Sequence, residues 1–290
     1  MEHFSDNREF DLYRDINTRT NGEIYIGVVG PVRTGKSTFI KRFMDLMVLP
    51  FMEDEHARER TIDELPQSAA GKTIMTTEPK FIPQEAVELK LAGEVTIRVR
   101  LVDCVGFMVE GAAGHLEDGA ERLVKTPWYD HEIPFTQAAE LGTRKVITDH
   151  STIGVVVTTD GSFSDLPQET YLDAENQAIS ELKKLHKPFL VLVNSSHPSS
   201  RTAREAAERI EKQHSVAAMP VNCAQLSEED IRQIMEQILY EFPVSRVEFY
   251  MPKWVEMLPF SHPLKTGLIE KIREHSGKHP RRDFANGAGE

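Results

Sequence analysis

The sequence predicts an α/β fold: a mostly parallel sheet, helices on both faces and one antiparallel hairpin strand. Three observations predict it. Apolar runs without polar alternation recur at Glu23–Val29, 95–103, 151–158 and Phe189–Asn194, as in strands buried on both faces. Amphipathic segments of helical period separate them, as βαβ crossovers require. The runs at 86–91 and 95–103 are joined only by Ala92-Gly93-Glu94, which fits a hairpin and adds the antiparallel strand.

Taken in order, residues 1–21 form a polar N-terminal extension with a short helical possibility near 10–17. The first strand, Glu23–Val29, enters a glycine-rich turn and then a helix to about residue 48, which Pro50 stops. Residues 51–80 read as polar and irregular, and so does the glycine-containing stretch 104–133, with Gly106, Gly111, Gly114 and Gly119. A helix is predicted over 135–149, a strand over 151–158, a helix over 169–186 and the strand Phe189–Asn194 after Pro188. A helix over 201–214, a short strand over 217–223 and a helix over 227–240 follow, the last opened by Ser227 and Asp230 as a variant capping box. Beyond Pro243 the texture changes: a strand is possible at 247–250, a helix at 264–275, and the tail from Ser276 reads as unstructured. The expected organisation is an extension at 1–21, a nucleotide-binding domain at 22–243, the start of a second region at 244–275 and a disordered tail at 276–290.

Composition narrows the function. The 290 residues are 40% hydrophobic, enough for a sizeable core, and the formal net charge of -12 disfavours nucleic acid as a partner. Cys104 and Cys223 are the only cysteines, lie in separate apolar runs and read as buried thiols of a cytosolic protein. No window is long and apolar enough to span a membrane, and the acidic start does not fit a secretion signal. Eleven histidines show no zinc-ligand spacing.

The chemistry concentrates in Gly30-Pro31-Val32-Arg33-Thr34-Gly35-Lys36-Ser37, which matches the phosphate-binding (Walker A) pattern between a strand and a helix. Backbone N–H groups and the helix N-terminus there suit a polyphosphate, and Thr38 continues the first turn. Lys36 is expected on the β- and γ-phosphates and Ser37 on Mg²⁺. Arg33 is read either as a solvent-facing loop residue or as a contact to phosphate or a neighbouring subunit. Asp103 ends the strand Arg100-Leu-Val-Asp103 and is expected to hold Mg²⁺ through water, while Gly106 offers its N–H to the γ-phosphate. Between them, Thr76 or Thr77 is placed to sense the γ-phosphate and, through Thr77, the metal.

Two features depart from guanine-nucleotide switches. Phe107 stands where a water-orienting Gln is common, and an apolar side chain cannot polarise water. The run that ends the buried strand is Asn194-Ser195-Ser196-His197 in place of Asn-Lys-x-Asp, so guanine has no carboxylate partner and ATP becomes the expected nucleotide. Asn194 and, on the following strand, Cys223 are the expected neighbours of the base. Thr126-Pro127-Trp128-Tyr129 reads as a packing anchor or a subunit contact, and Asp160 as a turn residue or a rim carboxylate.

The segments 30–44, 63–81, 100–106, 126–130, 142–147, 150–161 and 240–244 together closely resemble the stage IV sporulation protein A family, whose members form the base layer of the endospore coat. The resemblance runs from about residue 11 to about 275 and fades near Ser276, whereas family members continue into a further middle region and a C-terminal domain. It implies a GTPase-like (TRAFAC-type) fold that hydrolyses ATP with Mg²⁺ and so drives self-assembly into static filaments on the forespore's outer surface, facing the mother-cell cytoplasm. It implies as partners further copies of the chain, other coat proteins and a small amphipathic membrane peptide. It assigns Lys36 and Ser37 to phosphate and Mg²⁺, Thr76 and Thr77 to sensing, and Asp103 to the metal. Two other readings stand beside it: a regulatory GTPase-type switch, and a scaffold with a vestigial nucleotide site.

Overall fold

A computed structural model describes residues 22–66, 78–90, 96–112, 116–117, 120–163, 166–242 and 253–278. The chain divides into two compact units, residues 1–239 and 240–290. The first begins with β1 (Glu23–Val29), α1 (Lys36–Phe43) and α2 (Glu55–Glu64), then β2 (Lys80–Lys90) and β3 (Thr96–Asp103). Two small hairpins follow, β4 (Leu116–Glu117) with β5 (Ala120–Glu121), and β6 (Leu123–Thr126) with β7 (Tyr129–Pro134). Next come α3 (Phe135–Lys145), β8 (Ile153–Thr159), α4 (Leu172–Lys184), β9 (Phe189–Asn194), α5 (Arg201–His214), β10 (Ala218–Val221) and α6 (Glu228–Tyr240). Described by itself, the second unit holds α7 (Lys253–Glu256) and α8 (Pro263–Lys278), with Lys265 Nζ donating to the carbonyls of Glu256 and Leu258 at 2.8 and 3.0 Å.

The main sheet runs β10-β9-β8-β1-β3-β2. Its first five members pair in parallel, and only β2 is antiparallel, against β3. The chain passes from β1 to β3 on one side and then crosses to β8 on the other. That reversal opens a crevice at the carboxyl ends of β1 and β8, where open α/β sheets bind ligands. Register places the candidate residues on this rim: Val28 lies opposite Asp103, and Thr159 opposite Asn194. Every residue of β8 and of β9 is buried, as apolar runs without alternation predict. Val29, Val156, Val191 and Val193 share one core cluster with Ala178, Ile179 and Leu182 of α4 and Ala207 and Ile210 of α5. Each fully buried Val, Ile or Leu side chain among them contributes about 1.5–3 kcal/mol.

Some elements differ from expectation. The stretch read as irregular holds α2, capped by Asp54, whose carboxylate accepts from the N–H groups of His56 and Ala57 at 2.9 and 3.2 Å. Only Thr61 of that helix is buried, so it has no apolar stripe to reveal it. β2 starts at Lys80, earlier than the predicted residue 86, because a bulge between Ile82 and Val87 breaks the alternation. The 104–133 segment contains the two hairpins, and Pro127-Trp128 forms the turn between Thr126 and Tyr129. α1 ends its regular turns at Phe43 and continues as a π-turn over Met44–Val48. The helix 227–240 is confirmed with its box: Ser227 N–H donates to Asp230 Oδ2 at 2.8 Å, and Asp230 N–H to Ser227 Oγ at 3.2 Å. α8 runs to Lys278, past the predicted boundary at Ser276. The possible strand at 247–250 and the extension at 1–21 lie outside the described residues.

Candidate nucleotide site

β1 delivers the chain into a turn that only particular residues can make. Gly30 sits at φ +128, and a Cβ there would come within 2.4 Å of the Val157 carbonyl oxygen. Gly35 sits at φ +97, where a Cβ would meet Asn194 Nδ2 at 2.3 Å. Between them Thr34 Oγ1 donates to the Val157 carbonyl at 2.6 Å, tying the loop to β8. Arg33 takes the left-handed conformation at φ 61 without being glycine and is exposed. Such a conformation costs about 1 kcal/mol. α1 then starts at Lys36 with no side-chain cap and no acidic residue in its first turn, where Thr38 is half-buried. Its first N–H groups and dipole end are therefore directed at whatever the loop encloses, a setting that suits an anion.

Lys36 is buried, and its Nζ donates to the Pro31 carbonyl at 2.6 Å. Burial pushes its ammonium below the ordinary lysine range, opposed by the Asp103 carboxylate beside it. Ser37 Oγ donates to Asp103 Oδ2 at 3.0 Å, so α1 and β3 meet through the two predicted metal residues. Asp103 Oδ1 is shielded from solvent and has no hydrogen-bond partner. Burial raises the Asp103 carboxyl above its usual range, and the Lys36 charge opposes that rise.

The turn after β3 is joined to the phosphate loop by backbone. Phe107 N–H donates to the Gly30 carbonyl at 3.0 Å, and Val32 N–H to the Phe107 carbonyl at 2.9 Å. Gly106 stands at φ +98 between them, where a Cβ would lie 2.3 Å from Gly30 O and 2.5 Å from Lys36 Nζ. Its N–H, expected to serve a γ-phosphate, donates instead to Thr143 Oγ1 at 3.2 Å, and that hydroxyl donates to the Ala139 carbonyl at 2.8 Å. The Phe107 side chain is 1% exposed and joins the cluster of Val32, Val109 and Ala112. It therefore fills the core and is not a replacement for Gln facing the crevice.

Asn194 and Cys223 brace the loop. Asn194 Nδ2 donates to the Thr34 carbonyl at 2.9 Å while its Oδ1 accepts from Cys223 N–H at 3.0 Å. Both side chains are buried. Asp160 N–H donates to the Asn194 carbonyl at 3.4 Å, and Ser196 N–H to Ser162 Oγ at 2.8 Å, so the turn after β8 holds the run after β9. Arg42 of α1 donates to the Leu226 carbonyl at 2.7 Å and fixes the turn after β10 from the far side. Thr76 and Thr77 lie outside the described residues. A cleft of about 430 Å³ between α2 and the β2 bulge is lined by none of these residues.

Comparison with known families matches residues 7–243 to the ATPase domain of stage IV sporulation protein A. The chain belongs to the stage IV sporulation protein A family. It is 49% identical over 264 residues to the stage IV sporulation protein A of Clostridioides difficile (strain 630). It is 46% identical over the same length to those of Bacillus anthracis and Bacillus subtilis (strain 168). Each alignment covers 91% of this chain and 54% of the relative, so the chain spans about half the length of the curated relatives it matches. Among solved structures, a complex of SsGBP with GDP superposes with a TM-score of 0.41 at 13% identity, over 75% of this chain and 49% of that one, too loose a likeness to inform the site.

The region matched to the stage IV sporulation protein A ATPase domain contains supporting residues that sequence reasoning missed. Thr143, in mid-helix, holds the Gly106 turn; its signal is a hydroxyl bonded back to the carbonyl four residues earlier. Thr158, one residue beyond the carbonyl that receives Thr34, donates to Glu175 Oε2 at 2.7 Å, and Arg209 pairs with Glu175 Oε1 at 2.8 Å. An isolated Glu on an amphipathic helix carries no sequence signal for such a role. Among the described residues no group of three or more His, Cys, Asp and Glu side chains is arranged to hold a metal. No helix among them is long and apolar enough to cross a membrane.

Proposed function

We propose that this chain hydrolyses ATP with Mg²⁺ and uses that turnover to assemble with further copies of itself, as a base-layer component of the endospore coat on the forespore surface. The observation that carries the reading is the convergence of Lys36 and the Ser37–Asp103 pair at the uncapped start of α1, in a member of the stage IV sporulation protein A family. The phosphates lie against the N–H groups at the end of the loop and in the first turn of α1, and Lys36 exchanges its bond to the Pro31 carbonyl for the β- and γ-phosphates. Transfer of Lys36 from a carbonyl to a polyphosphate also relieves a buried cation of its desolvation.

Mg²⁺ fits the residues present. Asp103 Oδ1 is a shielded acceptor without a partner, and the Ser37 hydroxyl stands beside the same carboxylate. Those two groups would hold the ion together with phosphate oxygens and water, and the ion supplies charge neutralisation on the phosphates. A cage of protein ligands is not required for such a site. ATP is the preferred nucleotide because Asn194-Ser195-Ser196-His197 offers no carboxylate for the two guanine donors. Thr76 and Thr77 remain the proposed γ-phosphate sensors, and Gly106 permits the close approach of the β3 turn to Lys36. We assign the ATPase role to residues 22–243, supported by the family match to 7–243, and place the start of a second region at 244–275. Other coat proteins and a small amphipathic membrane peptide are the proposed further partners, on the mother-cell side of the forespore membrane.

Sedimentation with ATP, ADP and a non-hydrolysable analogue tests the reading. The wild type is expected to release phosphate only with Mg²⁺ and to pellet only with ATP, and Lys36→Ala to do neither. Phosphate release that survives Lys36→Ala would remove the site from the function. Pelleting that ignores the nucleotide would leave a scaffold.

A further inference from the structure

Gly106 has a single N–H, and two acceptors compete for it. One is observed: Thr143 Oγ1 receives it at 3.2 Å, the long limit of ordinary N–H···O bonds. The other is the γ-phosphate of a bound triphosphate. We propose that Thr143 is a positioning residue that holds the Gly106 N–H against that claim, and so sets how far the site prefers ATP over ADP; this deepens the reading of the site as an ATP site and rests on it.

The turn lies against the phosphate-binding lysine, since a Cβ on Gly106 would come within 2.5 Å of Lys36 Nζ. Its flanks are pinned. On one side Phe107 N–H donates to the Gly30 carbonyl at 3.0 Å, and the Phe107 carbonyl accepts from Val32 N–H at 2.9 Å. On the other, Cys104 Sγ donates to the Val28 carbonyl at 3.4 Å. The peptide group between Val105 and Gly106 is the part left to turn over, and Gly106, at φ +98, has no Cβ to oppose the rotation. Thr143 is the fixed partner. It is fully buried in the middle of α3, and its hydroxyl proton is committed to the Ala139 carbonyl at 2.8 Å. Toward Gly106 that oxygen therefore acts as an acceptor.

The two acceptors are unequal. A phosphate oxygen is charged, and hydrogen bonds to charged acceptors are roughly twice as strong as neutral ones. A γ-phosphate therefore draws the N–H away from the hydroxyl, whereas ADP, which has no γ-phosphate, leaves it there. Release strands no buried donor, because the hydroxyl keeps its bond to Ala139. Binding of ATP thus breaks one bond that binding of ADP leaves intact. Thr143 lowers the affinity for the triphosphate and not for the diphosphate, by the differential cost of that one bond.

Equilibrium binding of Mg²⁺–ADP and of a non-hydrolysable ATP analogue with Mg²⁺ to the whole chain tests this, with Thr143→Val and Thr143→Ser. Thr143→Val keeps the shape and removes the acceptor. It is expected to raise the analogue-to-ADP affinity ratio by about three- to tenfold, the worth of one net hydrogen bond, with ADP affinity unchanged. Thr143→Ser keeps the hydroxyl and the wild-type ratio. An unchanged or lowered ratio in Thr143→Val overturns the inference. So does equal weakening of both nucleotides, which makes the residue structural, or an equal rise in Thr143→Ser, which makes the lost methyl the cause. A second measurement needs no substitution: in the wild type the Gly106 amide resonance is expected to move with the analogue and to stay in place with ADP. The same position with both overturns the inference as well. A wild type that binds neither nucleotide, or binds them equally well as Lys36→Ala, instead sinks the ATP-site reading itself and this inference with it.

Discussion

At the scale of single residues, the tightest point of the site is Gly106. Its place at φ +98, against Gly30 O and Lys36 Nζ, leaves no volume for a methyl group. Gly106→Ala is therefore expected to lower stability by about 2–4 kcal/mol and to abolish phosphate release. A denaturation midpoint equal to that of the wild type would contradict the packing described. Phe107 shows how an isolated residue can mislead. Its place in the sequence, next to DxxG, suggests a side chain facing the attacking water. The structure uses its backbone to hold the phosphate loop and its ring to fill the core. Whatever orients the water comes from elsewhere.

At the scale of elements, β8, α4 and α5 are joined by Thr158, Glu175 and Arg209. Glu175 is 1% exposed and Arg209 31%, so removal of the charge at 175 leaves a guanidinium that water still reaches. Glu175→Gln is expected to cost about 2 kcal/mol in urea denaturation, less than for a fully buried pair. The double change Glu175→Gln with Arg209→Met is expected to cost no more than the single one, because it leaves no uncompensated charge and keeps an acceptor for Thr158. A double loss well above the single would contradict that. Elements of this kind also show what a sequence can reveal. β1, β8 and β9 were legible because burial on both faces leaves an unbroken apolar run, and α5 because its four buried positions recur at helical spacing. The phosphate loop was legible because its glycines are dictated by geometry. α2 was not, because it buries one threonine and owes its start to Asp54. Nor was the brace from Asn194 to Thr34 and Cys223, which joins residues distant in sequence through one amide.

At the scale of the whole molecule, both thiols report on global unfolding. Burial raises Cys104 to about 11 and Cys223 to about 12, so at pH 8 neither is an effective nucleophile in the folded chain. Labelling by a thiol reagent at pH 8 is expected to be negligible until denaturant unfolds the chain, when both react together. Early reaction of Cys223 alone would show the turn after β10 opening by itself. The sign of the linked pH effect follows. The folded chain holds these protons more tightly than the unfolded one, so the thiol contribution is present below pH 9 and lost as pH rises toward 11 and 12. Cys104→Ala with Cys223→Ala is expected to flatten that part of the alkaline decline.

The order of the sheet has one more consequence. Its two outer members are poor templates: β10 has four residues and contains Pro220, and β2 contains Pro83 within a bulge. A lateral ladder of main-chain hydrogen bonds cannot continue across such borders. The self-assembly proposed above would therefore join copies through surfaces other than these two strand borders.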